Sequence, residues 1–301
     1  MNDNLLGDII IDKSNTNWKI GDILGKGGFG YIYTISKDDN NDKNKYVIKV
    51  EPKSNGPLFV EQVFYQRICK KSMIDEWKKN NNVLHLGIPL CHGFGFYKKN
   101  NIDYRFIIID RLGCDLETIL IHNNNKLPKK SVYLIVISIL NVLNYMHDNG
   151  YTHGDIKSSN IAVGFNNKNN IYLFDFGLSY RFIVNGKHAK YKSNPNKMHN
   201  GTLEFTSVDM HRGVTPSRRS DLEILGYCII KWLGGVLPWN KLKNRNRTME
   251  SKEKYLSSIS SLLSISLGKD YPKEILKYFN YVTSLKYEDS PDYNFIKNIF
   301  L

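Results

Sequence analysis

The chain has 301 residues, 41% hydrophobic and 12% aromatic, which excludes a disordered protein and allows one large domain or two closely packed lobes. Its net charge of +13 would attract nucleic acid, acidic proteins or phosphorylated partners, although a merely soluble, Lys- and Asn-rich surface explains it more simply. The four cysteines form no CxxC pair, and no signal peptide or membrane-length apolar run is visible. We therefore expect an intracellular protein with reduced thiols and no membrane insertion.

The first third of the chain is predicted to be β-rich, because short β-prone runs alternate with Gly and Asn/Asp clusters. The predicted strands are 18–24, 31–36, 46–51 and 104–111, with a hairpin connection over 37–45 and a helix over 58–70. From residue 131 onward, apolar spacing predicts helices over 131–147 and 221–233, and Asn/Lys-rich loops over 121–126, 166–170 and 243–247. A small β-rich lobe followed by a larger helical lobe suggests an active site between the two.

A glycine-rich run lies between the first two predicted strands. Its residues are Gly25, Lys26, Gly27, Gly28, Phe29 and Gly30, and its G-x-G-x-x-G form alone is equally compatible with an ordinary glycine turn. Because strands rather than a strand and a helix flank the run, it suits a hairpin whose amides cover the phosphates of ATP. A dinucleotide-binding enzyme, which needs a helix after the glycines, is disfavoured for the same reason.

Lys49 lies inside an apolar strand, where an unpaired ammonium would be costly to bury. The α- and β-phosphates of ATP and the carboxylate of Glu61 on the next predicted helix would provide partners. Glu51 and Glu76 are also available, and a lysine at a strand edge that reaches water is the weaker alternative.

The segments 153–160 and 175–177 carry the strongest chemical signal. Asp155 can accept the proton of a substrate hydroxyl, and Lys157 can neutralise a γ-phosphate. Asn160 and Asp175 offer the oxygen ligands that Mg²⁺ requires. Any one of these could be a solvated loop residue, but the four together at this spacing argue against chance.

Two residues farther along the chain complete the prediction. The hydroxyl of Thr202 can hydrogen-bond Asp155 and Lys157, an arrangement that favours serine or threonine acceptors over tyrosine. Asp221 is expected to cap the helix 221–233 by accepting amide hydrogen bonds, which is a structural role.

These residues resemble the eukaryotic protein kinase superfamily over nearly the whole chain, and within it the vaccinia-related kinases of the casein kinase 1 group. The strings that carry the narrower resemblance are GKGGFG (25–30), KVEP (49–52), NGPLF (55–59), YRF (104–106), HGDIK (153–157), GTLEFT (201–206), SRR (217–219) and DLEILGYC (221–228). A poxviral member is indicated, because the chain ends soon after the catalytic domain. The resemblance implies a bilobal α+β kinase fold over 1–301, with a β-rich N-lobe over about 1–110 and a mainly helical C-lobe after a hinge.

By the same resemblance, Glu61 pairs with Lys49, residues 110–112 form the hinge that binds adenine through Asp110 and Leu112, and Ile109 is the gatekeeper. The cofactors would be ATP and Mg²⁺. The substrates would be DNA-associated proteins such as the DNA-bridging barrier-to-autointegration factor, at poxvirus replication sites in the host cytoplasm. We expect a monomer, and the sequence does not establish direct nucleic-acid binding. A pseudokinase scaffold is the alternative, but it would be marked by loss of Lys49, Asp155, Asn160 or Asp175, and all four are present.

The chain departs from the general kinase pattern at two places. Gly154 stands where an arginine usually precedes the catalytic aspartate, so no obvious cation there would bind an activation-loop phosphate. We therefore expect activity without such phosphorylation. The usual Ala-Pro-Glu after the activation segment is absent, with residues 204–206 in that region, which leaves the substrate platform undefined.

Overall fold

The computed structural model describes residues 5–26, 30–37 and 44–301. The first lobe is built on a six-stranded antiparallel sheet in the order β1-β2-β3-β4-β6-β5. Its strands are β1 (Ile9–Ile11), β2 (Asn17–Lys26), β3 (Tyr31–Lys37), β4 (Tyr46–Pro52), β5 (Cys91–Lys99) and β6 (Ile102–Asp110). Two helices, α1 (Pro57–Ile68) and α2 (Lys71–Asn80), connect β4 to β5.

The alternation of side chains along β4 assigns its residues to two faces of this sheet. Ile48 and Val50 belong to an apolar cluster that also contains Trp18 and Phe106. Val47, on the other face, belongs to the main core of the protein. Lys49 shares the face of Val47, so the strand period alone turns its ammonium toward the second lobe.

The second lobe is mainly helical. Its helices are α3 (Leu116–His122), α4 (Lys129–Asp148), α5 (Val208–His211), α6 (Arg218–Trp232), α7 (Arg245–Leu256), α8 (Ile259–Leu267), α9 (Lys273–Ser284) and α10 (Tyr293–Asn298). Short strands supplement them: β7 (Leu112–Asp115), β8 (Tyr151–Thr152), β9 (Ile161–Gly164), β10 (Ile171–Leu173), β11 (Tyr180–Arg181), β12 (Ile183–Val184) and β13 (Lys187–His188). None of the helices within the described residues is long and apolar enough to cross a bilayer.

Helices α4 and α6 lie at the centre of the main core. Eleven residues of each are buried, including Val136, Leu140 and Leu143 of α4 and Leu225 and Ile229 of α6. Because α6 is apolar around most of its circumference, it can be surrounded by α4, α8 and α9. The two helices form a rigid base for the loops that face the first lobe.

The predicted α+β organisation with a β-rich lobe before a helical lobe is confirmed. Strands β2, β3, β4 and β6 and helices α1, α4 and α6 appear at the predicted places within a few residues. The predicted connection over 37–45 lies mostly outside the described residues, although β3 and β4 on either side of it pair antiparallel.

Three predictions about the helical lobe were wrong. The loop predicted over 121–126 begins only after His122, where α3 ends. The segment 243–247 is not entirely a loop, because α7 begins at Arg245, where the side chain of Asn244 accepts a hydrogen bond from Arg247 N and caps the helix. Asp221 does not cap α6, because that helix begins three residues earlier, at Arg218. Its actual partners lie in another segment of the lobe.

Replacing Gly30 by alanine should destabilise the protein. A Cβ at this position would lie 2.0 Å from Val50 O in the neighbouring strand, so the backbone of β4 would have to move. Such overpacking typically costs about 1–3 kcal/mol. The matched control is Gly25→Ala, because a Cβ at Gly25 meets nothing within 4 Å among the described residues. Urea unfolding of the two variants measures the difference, and equal free energies of unfolding would contradict the expectation.

Candidate active site

A cavity of about 340 Å³ lies between the sheet of the first lobe and the loops of the second. The predicted site residues that line it are Gly30, Lys49, Glu61, Ile109, Asp155, Lys157 and Asp175. These positions are widely separated in the chain, and only the packing of the two lobes brings them together. We call this cavity the cleft.

The ammonium of Lys49 is held between two carboxylates. Its Nζ lies 2.8 Å from Glu61 Oε2 and 2.9 Å from Asp175 Oδ1. Burial by itself would lower the pKa of Lys49, but the two carboxylates outweigh it and raise the pKa above its usual value. Lys49 is therefore a fixed positive charge in the cleft, and of the three glutamates that the sequence offered, Glu61 is its partner.

Asp175 is positioned by the phenylalanine that follows it. Its backbone is left-handed, with φ of 65°, and the ring of Phe176 is fully buried. That ring stacks on Phe64 of α1 with centroids 4.1 Å apart, and contacts the ring of His153 edge-on. Burial would raise the pKa of Asp175, but Lys49 reverses the effect and lowers it, so the carboxylate is ionised.

Asp155 is the centre of a hydrogen-bond network. Its Oδ1 accepts hydrogen bonds from Thr202 N at 3.0 Å and Thr202 Oγ1 at 2.7 Å. Its Oδ2 lies 2.7 Å from Lys157 Nζ, which also donates to Thr202 Oγ1 at 3.1 Å. Thr202 Oγ1 thus donates to Asp155 and accepts from Lys157, so both predicted hydrogen bonds are present. They fix the carboxylate, which is 9% exposed, in one orientation at the cleft.

Asn160 and Asp175 provide the oxygen atoms to which a cation could bind. Asn160 Nδ2 donates to Asp155 O at 2.8 Å, which leaves Oδ1 as the atom that would contact a metal. Asn160 O accepts a hydrogen bond from Phe174 N at 3.0 Å, which ties this loop to the residue before Asp175. An amide oxygen and a carboxylate are hard ligands that fit Mg²⁺.

The carboxylate of Asp221 is fully buried and holds the loop that carries Asp155. It accepts hydrogen bonds from His153 N at 2.8 Å and Gly154 N at 2.9 Å, and lies 2.9 Å from His147 Nε2. Asp221 thus has the structural role that was predicted, but it binds different amides from those predicted. Those amides belong to a loop about seventy residues earlier in the chain, and local sequence patterns cannot reveal such a contact.

Gly154 adopts a backbone conformation that suits glycine. Its φ is 80°, and a Cβ there would lie 3.1 Å from Leu178 O. The neighbouring His153 is also fully buried, which lowers its pKa, so the imidazole is neutral. In that form His153 Nε2 can donate to Phe174 O, 3.2 Å away.

Of the predicted phosphate-binding residues, the structure describes Gly25, Lys26 and Gly30. Gly25 and Lys26 end β2 and pair with Ile32 and Tyr31 of β3, as expected for a hairpin. Gly27, Gly28 and Phe29 lie outside the described residues. Gly30 lines the cleft, where its lack of a side chain permits close approach of β4.

The predicted hinge connects the two lobes. Asp110 ends β6 and Leu112 begins β7, which pairs with β9 of the second lobe. The carboxylate of Asp110 is turned away, toward Leu90 N at 2.8 Å and His92 Nε2 at 2.7 Å. The side chain of Asp110 is therefore directed away from the cleft, whereas Ile109 lines it.

Comparisons with known proteins agree with this geometry. The protein kinase domain family matches residues 18–289. The chain is 49% identical to the B1 kinase of vaccinia virus (strain Western Reserve) over 301 residues, 99% of this chain and 98% of that protein. The chain belongs to the vaccinia-related kinase family.

Two further relatives support the assignment to this family. The human serine/threonine-protein kinase VRK2 is 42% identical over 296 residues, which cover 97% of this chain and 58% of that protein. The solved structure of vaccinia related kinase 3 matches with a TM-score of 0.90 at 32% identity, over 100% of this chain and 92% of that one. The chain is therefore a serine/threonine protein kinase with the bilobal kinase fold.

Some residues of this kinase site were missed from the sequence. Phe64 and Tyr65 of α1 enclose the ring of Phe176, and Glu51 is buried at the cleft wall, where its Oε2 accepts a hydrogen bond from Leu58 N. The helix over 58–70 was predicted, but no local pattern indicated which ring Phe64 would contact. No local signal separated Glu51 from Glu61 as the partner of Lys49.

Replacing Asp221 by asparagine should weaken both the fold and the activity of this kinase. The amide would turn an N–H₂ group toward donors that are buried, and each unsatisfied group costs about 1–3 kcal/mol. The control is Asp148→Asn, because Asp148 is exposed and accepts a hydrogen bond from Trp77 Nε1 at 2.8 Å. Urea unfolding should show a clear loss for the first variant and little for the second, and the reverse order would refute the role of Asp221.

Proposed function

We propose that this kinase transfers the γ-phosphate of Mg-ATP to serine or threonine hydroxyls of DNA-associated proteins, at poxvirus replication sites in the host cytoplasm. The observation that carries the proposal is the arrangement of Asp155, Lys157 and Thr202 beside the Lys49 and Asp175 pair. Phosphoryl transfer depends on positioning and charge rather than on covalent chemistry by the protein, and this cleft offers both.

In this proposal, Asp155 orients the acceptor hydroxyl and takes its proton late in the transfer. The hydrogen bonds from Thr202 and Lys157 keep its carboxylate fixed before the substrate arrives. Lys157, whose Nζ lies between Asp155 and Thr202, is placed to move to the γ-phosphate and neutralise its charge. Thr202 itself occupies space beside Asp155, which favours a short serine or threonine side chain as acceptor.

The nucleotide would be held by residues from both lobes. Lys49 would contact the α- and β-phosphates, the amides near Gly30 would cover them, and the backbone of the hinge would meet adenine. Asn160 Oδ1 and the Asp175 carboxylate would hold magnesium, which neutralises phosphate charge when bound. Glu61 keeps Lys49 in place rather than touching the nucleotide.

Positive charge around the substrate-binding region supports the proposed substrate class. Within the stretch 187–197, the lysines at 187, 190, 192 and 197 are exposed, and the stretch 241–247 is basic and mostly exposed as well. Both are suited to proteins that carry acidic surfaces or bound DNA. Barrier-to-autointegration factor, a DNA-bridging protein, is the substrate that the family resemblance suggests, and we expect a monomeric enzyme.

The proposed activity can be tested by ATP-dependent phosphate incorporation into barrier-to-autointegration factor. Asp155→Ala should lower the rate by about 10²–10⁴ because it removes the general base. The control is Asp75→Ala, which removes an exposed carboxylate on α2 and should leave the rate unchanged. Equal incorporation by wild type and Asp155→Ala would refute the assignment, and no incorporation by wild type would refute this substrate.

We also expect full activity without phosphorylation of the segment 178–200. Backbone hydrogen bonds already hold this segment, from Asn194 N to Gly213 O and from His199 N to Met210 O, both at 3.0 Å. Gly154 offers no side chain to which a phosphate could bind. Phosphatase-treated enzyme should therefore show linear initial rates with no lag, while mass spectrometry verifies that the segment is unmodified. A lag that ends when a phosphate appears between Leu178 and Asn200 would contradict this expectation.

A further inference from the structure

The segment after the activation loop is held without the usual Ala-Pro-Glu sequence. We call residues 201–206 the platform. Within it, Phe205 N and Thr206 N both donate to Thr202 O at 2.8 Å, and Thr206 Oγ1 donates to Asn200 O at 2.9 Å. These bonds make a tight turn that begins at Thr202, but they do not attach it to the rest of the lobe.

Lys252 of α7 makes that attachment. Its side chain is fully buried, and Nζ donates to Leu203 O at 2.9 Å and Thr206 O at 2.6 Å. The third neighbour of Nζ is His211 Nε2, at 3.1 Å. An ammonium has three protons, and the three acceptors use all of them.

Burial lowers the pKa of Lys252 to about 7, although the charges of Glu223 and Glu204 act in the opposite direction. Two aromatic rings also lie close to its Nζ. Its Nζ lies 5.3 Å from the ring centroid of Tyr227 and 5.5 Å from that of Trp239. Trp239 also donates from Nε1 to Glu204 O at 2.8 Å. Carbonyl oxygens at three of the six platform residues are therefore held by two side chains of the helical lobe.

His211, the histidine beside Lys252, accepts a hydrogen bond from Nζ and carries no charge that would repel it. Burial and then the charge of Lys252 lower the pKa of His211 to about 3, so the imidazole is neutral and Nε2 can accept a hydrogen bond. His211 Nδ1 can then donate to His199 Nδ1, which lies 2.8 Å away. The ammonium, the two imidazoles and the platform carbonyls form one connected network under the substrate-binding surface.

We infer that Lys252 is a positioning residue for phosphoryl transfer: through its bonds to Leu203 and Thr206 it holds Thr202 against Asp155. The inference rests on the proposed roles of Thr202 and Asp155. Lys252 touches neither substrate nor nucleotide, because the platform separates it from the cleft. Its effect on the reaction passes through the orientation of the Asp155 carboxylate.

The test is a double-mutant cycle of Lys252→Met and Thr202→Val. Lys252→Met keeps an unbranched side chain but removes the donors, and we expect kcat to fall by ~10- to 100-fold because the platform moves. If Lys252 acts through Thr202, the double variant should be little slower than the slower single variant. The control is Lys254→Met, which removes an exposed lysine two residues along the same helix and should leave kcat unchanged.

Binding of a non-hydrolysable ATP analogue gives the number of folded sites. It therefore distinguishes a loss of activity caused by a displaced platform from one caused by unfolded protein. In Lys252→Met the dissociation constant of the analogue should match that of wild type, while kcat per folded site falls. The inference is overturned if the loss of kcat in the double variant equals the product of the two single losses. It is also overturned if Lys252→Met has the same kcat as Lys254→Met. If Lys252→Met does not fold, Lys252→Gln, which retains a neutral donor, replaces it with the same expected coupling.

Hydrogen exchange gives a readout that does not depend on activity. The amides of Phe205 and Thr206 should exchange faster in Lys252→Met than in Lys254→Met, because the platform is no longer attached to α7. Equal exchange would overturn the inference even if the wild-type enzyme is active. An inactive wild type with the expected difference in exchange would instead refute the proposed function and leave the attachment by Lys252 standing.

Discussion

The active site depends on the placement of one ammonium between two carboxylates. Lys49 comes from β4, Glu61 from α1 and Asp175 from the loop after β10, so this ion pair joins the sheet, the helix and the second lobe. Burying an unpaired charge costs several kcal/mol of desolvation free energy, on the order of magnitude known for buried ions, and the opposite charges of its partners offset that cost. Lys49 lowers the pKa of Asp175, which keeps this carboxylate ionised for a divalent cation to contact.

Apolar contacts reinforce the same arrangement. The ring of Phe176 lies between α1 and the loop of Asp155, where it stacks on Phe64 and touches His153. A displacement of α1 would therefore disturb both the carboxylate of Glu61 and the position of Asp175. Below the cleft, Asp221 and Lys252 fix the two sides of the Asp155 network from the helical lobe, one through amides of the loop and the other through carbonyls of the platform.

The sequence predicted the parts of this structure whose signals are local. Short β-prone runs located β4 and β6, and the spacing of Asp155, Asn160 and Asp175 identified residues of the site. Contacts between distant segments were not predictable in this way. The partners of Asp221 lie in a loop that local patterns cannot connect to α6, and Lys252 stands in a charged, unpatterned helix that gives no sign of its burial. The start of α7 was hidden because Asn and Lys favour loops, whereas Asn244 serves there as a helix cap.

The left-handed backbone at Gly154 restricts which residues this position can hold. Both amides of the neighbouring turn point to Asp221, and the chain conformation that allows this is one that branched or long side chains rarely adopt. An arginine in place of Gly154 would carry backbone strain at this positive φ, and Leu178 O would have to yield by a few tenths of an ångström to make room for its Cβ.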